Sequence, residues 1–368
     1  MMKHSLIAIA ALTAVGSACA ESSVSLYGIV DTAYQFSSTV LRIDPNAGIS
    51  TRTETQKAGL VSGVLSGSRW GLKGEEELGN GLSAVFNVEA GFDSTTGAFT
   101  NGFNRRAFVG IKSNLGTVVV GRDNTPLDNW GFDIDGNTKG DVAYTDLYSG
   151  VFYSGEFSGI GINAMIGGSR TKTGTTNLHE TGYGLGLNYS SGAFSVGGAL
   201  QQFRERDGAG IKHTRTEYGL AASYDFGPAK LFSHYMASKH SIPGGGVFSK
   251  WEHANIGVSV PVSDSLTLMA EYGRNRATAQ NDTTRLVDIY GPAAEGLGLA
   301  TGYRLNGNGN NFMAGANYAL SKRTDLYARV GRSNSLKARV YDDTPPNAYL
   351  GQIKGHTNYI QFGIRHTF

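Results

Sequence analysis

Asn358-Tyr359-Ile360-Gln361-Phe362-Gly363-Ile364-Arg365-His366-Thr367-Phe368 closes the chain, and its period of two decides the fold. Ile360, Phe362, Ile364 and Phe368 fall on one face; Gln361, Gly363, Arg365 and Thr367 fall on the other. The opposite end reads Met1-Met2-Lys3-His4, an apolar run from Leu6 to Val15, then Ala18-Cys19-Ala20 before Glu21. That is the pattern of a secretory signal peptide cut after Ala20, leaving residues 21–368 as one domain. An exported chain whose last strand is half apolar points to a sheet closed on itself in a membrane, where a free edge would leave backbone groups unpaired.

Composition agrees. Glycine accounts for 52 of 368 residues, proline for 8, and tyrosine plus phenylalanine for 35 (18 + 17), a mix suited to many pleated strands. No stretch of 18 apolar residues follows the leader, so spanning helices are excluded while alternating spanning strands are not. The single cysteine, Cys19, lies inside the leader, which removes disulfides, thiolate metal ligands and a cysteine nucleophile from the mature chain. Lipidation of Cys19 is disfavoured by Gly16, which stands where such signals carry a Leu-like residue. Losing Lys3 takes the net charge from +2 to +1, which offers no basic field for nucleic acid.

Alternation continues inward from both ends: Leu26, Gly28, Val30, Thr32, Tyr34; Leu82 through Phe92; Tyr183 through Tyr189; Tyr218 through Phe226; Leu266 through Tyr272; Phe312 through Leu320. Seven short turns are expected at 78–81, 113–116, 158–159, 190–192, 226–228, 262–265 and 321–324. Between them lie eight longer polar segments, near 37–60, 94–103, 123–149, 170–180, 205–214, 240–250, 276–307 and 336–355. Eight long and seven short connections join sixteen strands, giving an all-β, 16-stranded antiparallel transmembrane β-barrel. A soluble β-sandwich is the alternative, because the pattern alone does not say which face is outside.

The chain resembles the general porins of the Gram-negative outer membrane, in their β-proteobacterial branch. The resemblance rests on Ser25-Leu26-Tyr27-Gly28-Ile29-Val30-Asp31, on Ser68-Arg69-Trp70-Gly71-Leu72-Lys73-Gly74-Glu75 continuing to Gly81, on Asn104-Arg105-Arg106-Ala107-Phe108-Val109-Gly110-Ile111, on Gly116 to Arg122, and on Phe368. It implies a homotrimer among lipid and lipopolysaccharide, and a third extracellular loop folded inward. It also implies that Phe368 acts as a signal to the outer-membrane assembly machinery. The resulting function is passive diffusion of small hydrophilic solutes and ions, without a cofactor.

The third loop, 123–149, holds Asp123, Asp128, Asp133, Asp135, Asp141 and Asp146 against Lys139 alone. Folded inward, it would face basic wall residues. Alternation sends Arg69, Lys73 and Glu75 into the lumen, and the resemblance makes Arg69 and Arg105, with Arg106 beside them, the arginines of the constriction. Asp31, Lys73, Glu75 and Arg122 are expected to line the lumen. Such opposed charges make a transverse field that sets ion preference. In the family a basic residue often stands where this chain has Phe152, so a weak preference leaning toward cations is expected.

Other readings find less support. Asp133-Ile134-Asp135-Gly136-Asn137 begins like a calcium loop, but Thr138 and Tyr144 stand at its sixth and twelfth positions, where Gly and Glu are needed. Eight scattered histidines show no zinc-helix spacing. A substrate-selective channel would need a row of inward aromatics, and an outer-membrane lipase a triad that leaves no local motif.

Overall fold

The computed structural model describes residues 22–46, 49–99, 102–129, 147–173, 176–206, 210, 212–242, 246–280, 303–342 and 349–368. The leader and its cleavage site lie outside them. Along the first third run β1 (Ser22–Pro45), β2 (Thr51–Ser62), β3 (Arg69–Gly79), β4 (Leu82–Gly91), β5 (Ala107–Ser113) and β6 (Gly116–Asn124), then a one-turn helix, α1 (Pro126–Asn129). Next come β7 (Leu147–Phe157), β8 (Ile160–Thr173), β9 (Thr176–Ser191), β10 (Phe194–Arg206), β11 (Lys212–Asp225) and β12 (Lys230–Ile242). The chain finishes with β13 (Gly246–Pro261), β14 (Leu266–Gln280), β15 (Tyr303–Ser321), β16 (Thr324–Asp342) and β17 (Tyr349–Thr367).

From β3 onward each strand pairs antiparallel with its successor, and β17 returns to β1 in unbroken register from Ile29 opposite Thr367 to Pro45 opposite Gly351. Closure leaves no seam. β2 and β3 share one partner: Thr32–Ile43 of β1 pair with β2, and Ser22–Ile29 pair with β3. They are two halves of one stave, so seventeen strands make a sixteen-stave barrel.

Which face is outside is now answered. Leu26, Val30, Tyr34, Phe36, Ile360, Phe362 and Ile364 are exposed on the outer wall, whereas Asp31, Glu89, Gln201, Glu217 and His253 are buried within. A soluble sandwich would invert this arrangement. Among the described residues no helix is long and apolar enough to cross a membrane, so the crossing is made by strands.

All seven expected turns fall between strands. The long connections are shorter than their polarity indicated: 37–60 is mostly the ends of β1 and β2, and 336–355 mostly those of β16 and β17. Above an apolar band both faces of a hairpin can be polar, so alternation fades while backbone pairing continues.

The final residue completes the ring. Phe368 exchanges two 3.1 Å backbone hydrogen bonds with Gly28, its ring lying where a Cβ on Gly28 would stand. Glycine is needed there for close approach.

Between β2 and β3 the chain turns inward over 63–68 and is fastened by Asp31. The Asp31 carboxylate accepts from the backbone N–H groups of Leu65 (2.6 Å) and Ser66 (2.7 Å), and from the Tyr327 hydroxyl (2.5 Å). Leu65 then packs on Ala33 and Tyr327. Asp31 has the inward parity expected of it, but the turn covers it completely. It serves as a clasp that ties β1 to the inward turn and to β16, and does not meet the water of the lumen. Asp31→Ala would strand three donors, at roughly 1–3 kcal/mol each where burial is complete. The folded band of the heat-modifiable protein should therefore be lost at a clearly lower temperature, while Tyr327→Phe, losing one bond, should lower it only slightly.

Candidate functional site: the lumen wall and the third loop

On β4 the inward residues are Ser83, Val85, Asn87 and Glu89, and Glu89 lies beside the point where the chain returns as Arg105 and Arg106. Its backbone bonds both: Glu89 N–H donates to the Arg106 carbonyl at 2.8 Å, and Arg105 N–H to the Glu89 carbonyl at 3.2 Å. This tight pairing gathers three arginines. Arg105 Nε stands 2.5 Å from Glu89 Oε1, Arg69 Nε 3.5 Å from Glu89 Oε2, and Arg106 Nε 3.0 Å from Asp123 Oδ1. The Tyr27 hydroxyl donates to Glu89 at 3.0 Å. Arg69 also donates to the carbonyl of Gly67, which joins the cluster to the inward turn.

Sequence reasoning placed Arg69, Arg105 and Arg106 together, as the structure does. It missed Glu89, whose signal was its lumen parity within the alternation of β4. Arg105 and Arg106 precede β5 instead of lying within it. Lys73 and Glu75 are inward, toward the end with the short turns: Lys73 Nζ lies 5.4 Å from the Tyr27 ring centre, and Glu75 pairs with Lys112 at 3.0 Å. Together with Asn87, Asp123, Phe108 and Phe152 they line a cavity of about 390 Å³. Arg122 differs from its expectation. It has the outward parity of Val118 and Val120, opposite Ala107, and its Nε donates to the Asn104 carbonyl at 3.0 Å.

Facing the cluster is the start of the third loop. Immediately after β6, Thr125 and Pro126 are fully buried, and Leu127 sits among Ala199, Ala221 and Met236 with Trp251 against them. Those side chains belong to β10, β11, β12 and β13 and point inward, four or more staves round from β6. Gly219 makes room, since a Cβ there would come within 3.0 Å of Leu127 Cδ1. A buried polar chain anchors the same turn: Gln201 Oε1 accepts from Leu127 N–H at 3.3 Å, and Gln201 Nε2 donates to Glu217 at 2.8 Å. Arg215 and Ser238 donate to Glu217 in turn. Asp128 is carried on this turn; Asp133, Asp135, Asp141 and Asp146 lie outside the described residues.

Behind the loop, Val119, Tyr148, Phe152, Met165 and Phe203 form one buried cluster. Phe152, in the slot where a basic residue is usual, thus points inward but is spent on packing. Tyr148 and Phe203 meet edge to face at 5.0 Å within this cluster, and among the described residues the inward aromatics do not form a wet row along which a sugar would slide. Among the described residues no cluster of three or more metal-ligating side chains occurs.

A closed barrel with a lipophilic exterior, a charged interior and a loop entering it defines a membrane channel. Residues 6–338 match the model of the Gram-negative porin family, and the chain belongs to that family. It is 29% identical, over the full length of both chains, to an outer membrane porin of Bordetella pertussis and to outer membrane porin protein 32 of Delftia acidovorans. Among solved structures it is similar to the anion-selective porin from Comamonas acidovorans, with 25% identity, a TM-score of 0.68, and coverage of 95% of this chain and 100% of that one. The trimer form of OmpT from Vibrio cholerae, 17% identical with a TM-score of 0.59 and coverage of 94% and 99%, shares the fold. The protein is an outer-membrane porin, a channel across that membrane.

Proposed function

We propose that solutes pass a constriction formed where the third loop meets the wall bearing Arg69, Arg105 and Arg106, and that three such barrels assemble as a homotrimer. The observation that carries this reading is Leu127, seated against the inner wall of β10–β12 although its chain leaves the barrel wall at β6. The described start of the loop thus lies against the wall opposite the arginines and carries Asp128 there. Trimerisation is supported by the form in which OmpT was solved and by the broad apolar outer wall. To Phe368, outward at the rim with the short turns, we assign the role of the residue read by the assembly machinery before the barrel closes.

Ion preference follows from the pairing. Arg69, Arg105 and Arg106 contribute +3, and Glu89 and Asp123 contribute −2, so the cluster carries +1 before any loop acid is counted. Anion selectivity is named for the Comamonas porin. Here the compensation at the wall and Phe152 in the basic slot argue for a weak preference, tilted to cations by the loop. Reversal potentials in planar bilayers under a salt gradient should therefore lie close to zero, and a strong anion preference would overturn the assignment.

A further inference from the structure

We propose that the inward turn over 63–68 is a selectivity element of the channel, and that Asp31 is a positioning residue for ion preference, acting on Arg69 through this turn. The proposal rests on the constriction reading above and adds to it what holds its first arginine in place. Thr32 pairs with Ser62 and Ile29 with Arg69, so residues 63–68 of the stave stand opposite only Val30 and Asp31. The excess chain has to leave the wall. It enters the lumen, where Leu65 is seated on the inward-facing Ala33 and Tyr327.

Asp31 holds the turn by its backbone as well as by its carboxylate. Its carbonyl accepts from Gly63 N–H at 2.9 Å, Ser68 Oγ at 3.1 Å and Ser94 Oγ at 2.9 Å, and its own N–H donates to Ser68 Oγ at 3.1 Å. With the carboxylate on Leu65 and Ser66, the turn is fixed at both feet and at its tip. Arg365, opposite Asp31 on β17, adds a bond to Ser66 Oγ at 3.3 Å. What the turn presents to the constriction is the Gly67 carbonyl, which accepts from Arg69 Nη1 at 3.0 Å. Among the described residues this is the one hydrogen bond of the Arg69 side chain, because Glu89 Oε2 stands 3.5 Å from its Nε, beyond ordinary bond length. Arg105 borders the same residue, its Nη1 lying 3.9 Å from where a Gly67 Cβ would stand. The place of the Arg69 charge is therefore set by where the turn lies. Freed of that carbonyl, the guanidinium reaches further into the lumen and favours anions.

The test records reversal potentials and open-channel noise in planar bilayers under a salt gradient, for refolded wild type, Asp31→Ala, Asp31→Asn, Gly63→Ala and Arg69→Ala. Gly63→Ala alters no charge, yet Gly63 has φ +76° and a Cβ there would come 3.1 Å from Gly67 Cα, so the turn has to shift. Asp31→Ala and Gly63→Ala should both move the potential toward anions and raise the noise by about twofold or more, while Arg69→Ala moves the potential toward cations. Asp31→Asn should stay near wild type, because its oxygen can take both N–H groups and its amide NH2 can donate to the Tyr327 oxygen. Leu65→Ala, which empties the seat on Ala33 and Tyr327 and keeps every backbone donor, replaces Asp31→Ala if that variant does not fold, with the same expected direction. A shift in Asp31→Asn without one in Gly63→Ala would mean that the buried charge acts by itself, and would overturn the proposal. Wild-type behaviour of the turn variants beside a shifted Arg69→Ala would overturn it and leave the constriction standing. An unshifted Arg69→Ala would overturn both.

Discussion

Glu89→Gln is expected to shift the reversal potential of the channel toward anions by more than any single substitution of a loop acid. Glu89 is 4% exposed and is the shared partner of Arg105 and Arg69. Removing its charge takes the wall cluster from +1 to +2 without altering side-chain size, and Gln retains an oxygen for the Tyr27 hydroxyl. In a narrow, low-dielectric-walled lumen such a change is weakly screened and acts directly on passing ions. The two arginines also lose the group that orients them, so current noise should rise as their side chains sample the lumen. Planar-bilayer recordings under a salt gradient give both readouts. An unchanged reversal potential would mean that the cluster lies away from the narrowest point. Arg105→Ala separates the possibilities, because it should move the potential the opposite way and leave Glu89 to Arg69 alone.

The barrel was legible because lipid and water impose opposite demands on alternate residues. Runs such as Leu266 to Tyr272 and Tyr218 to Phe226 therefore carry a strand signal that nothing tertiary overrides. The seven turns were legible for a local reason, their Gly, Asn, Ser and Pro content. What stayed hidden depended on distant partners. The break between β2 and β3 could not be read from Val61-Ser62-Gly63-Val64-Leu65, whose residues are apolar on both parities, because it is Asp31 and Tyr327 that draw that turn inward. Arg122 departs from its expected place in the lumen, and its parity with Val118 and Val120 already put it outside. Glu89 read as one polar residue in an alternating strand, and its partners are distant in the chain: Arg105 arrives sixteen residues later, after a loop, and Arg69 stands on the preceding strand. Leu127 read as an incidental apolar residue in an acidic loop, yet Pro126-Leu127 is where the loop is anchored.

Leu127→Asp should release that anchor and widen the pore. The wild-type side chain is 2% exposed in a socket of Ala199, Ala221 and Met236, and small residues on β10 and β11 let the turn approach the wall. A carboxylate in that socket would find no cation in its apolar lining and would stand close to the Glu217 network, so burying it costs several kcal/mol. Pro126 also lies against Gly184 of β9, and Leu127 N–H bonds Gln201 at 3.3 Å, but neither contact holds a charged side chain in an apolar socket. The start of the loop should therefore leave the wall and the constriction should relax. Because current through a water-filled barrel scales with its open cross-section, single-channel conductance is expected to rise by about twofold or more, with larger sugars crossing in liposome swelling. Barrel formation, which rests on the strand ladders, should persist and be visible as unchanged heat-modifiable mobility. Gly219→Leu approaches the same result from the wall, since its side chain would occupy the space of Leu127 Cδ1. If both variants folded and both conducted as wild type does, the turn at Pro126–Asn129 would not hold the loop in the current path.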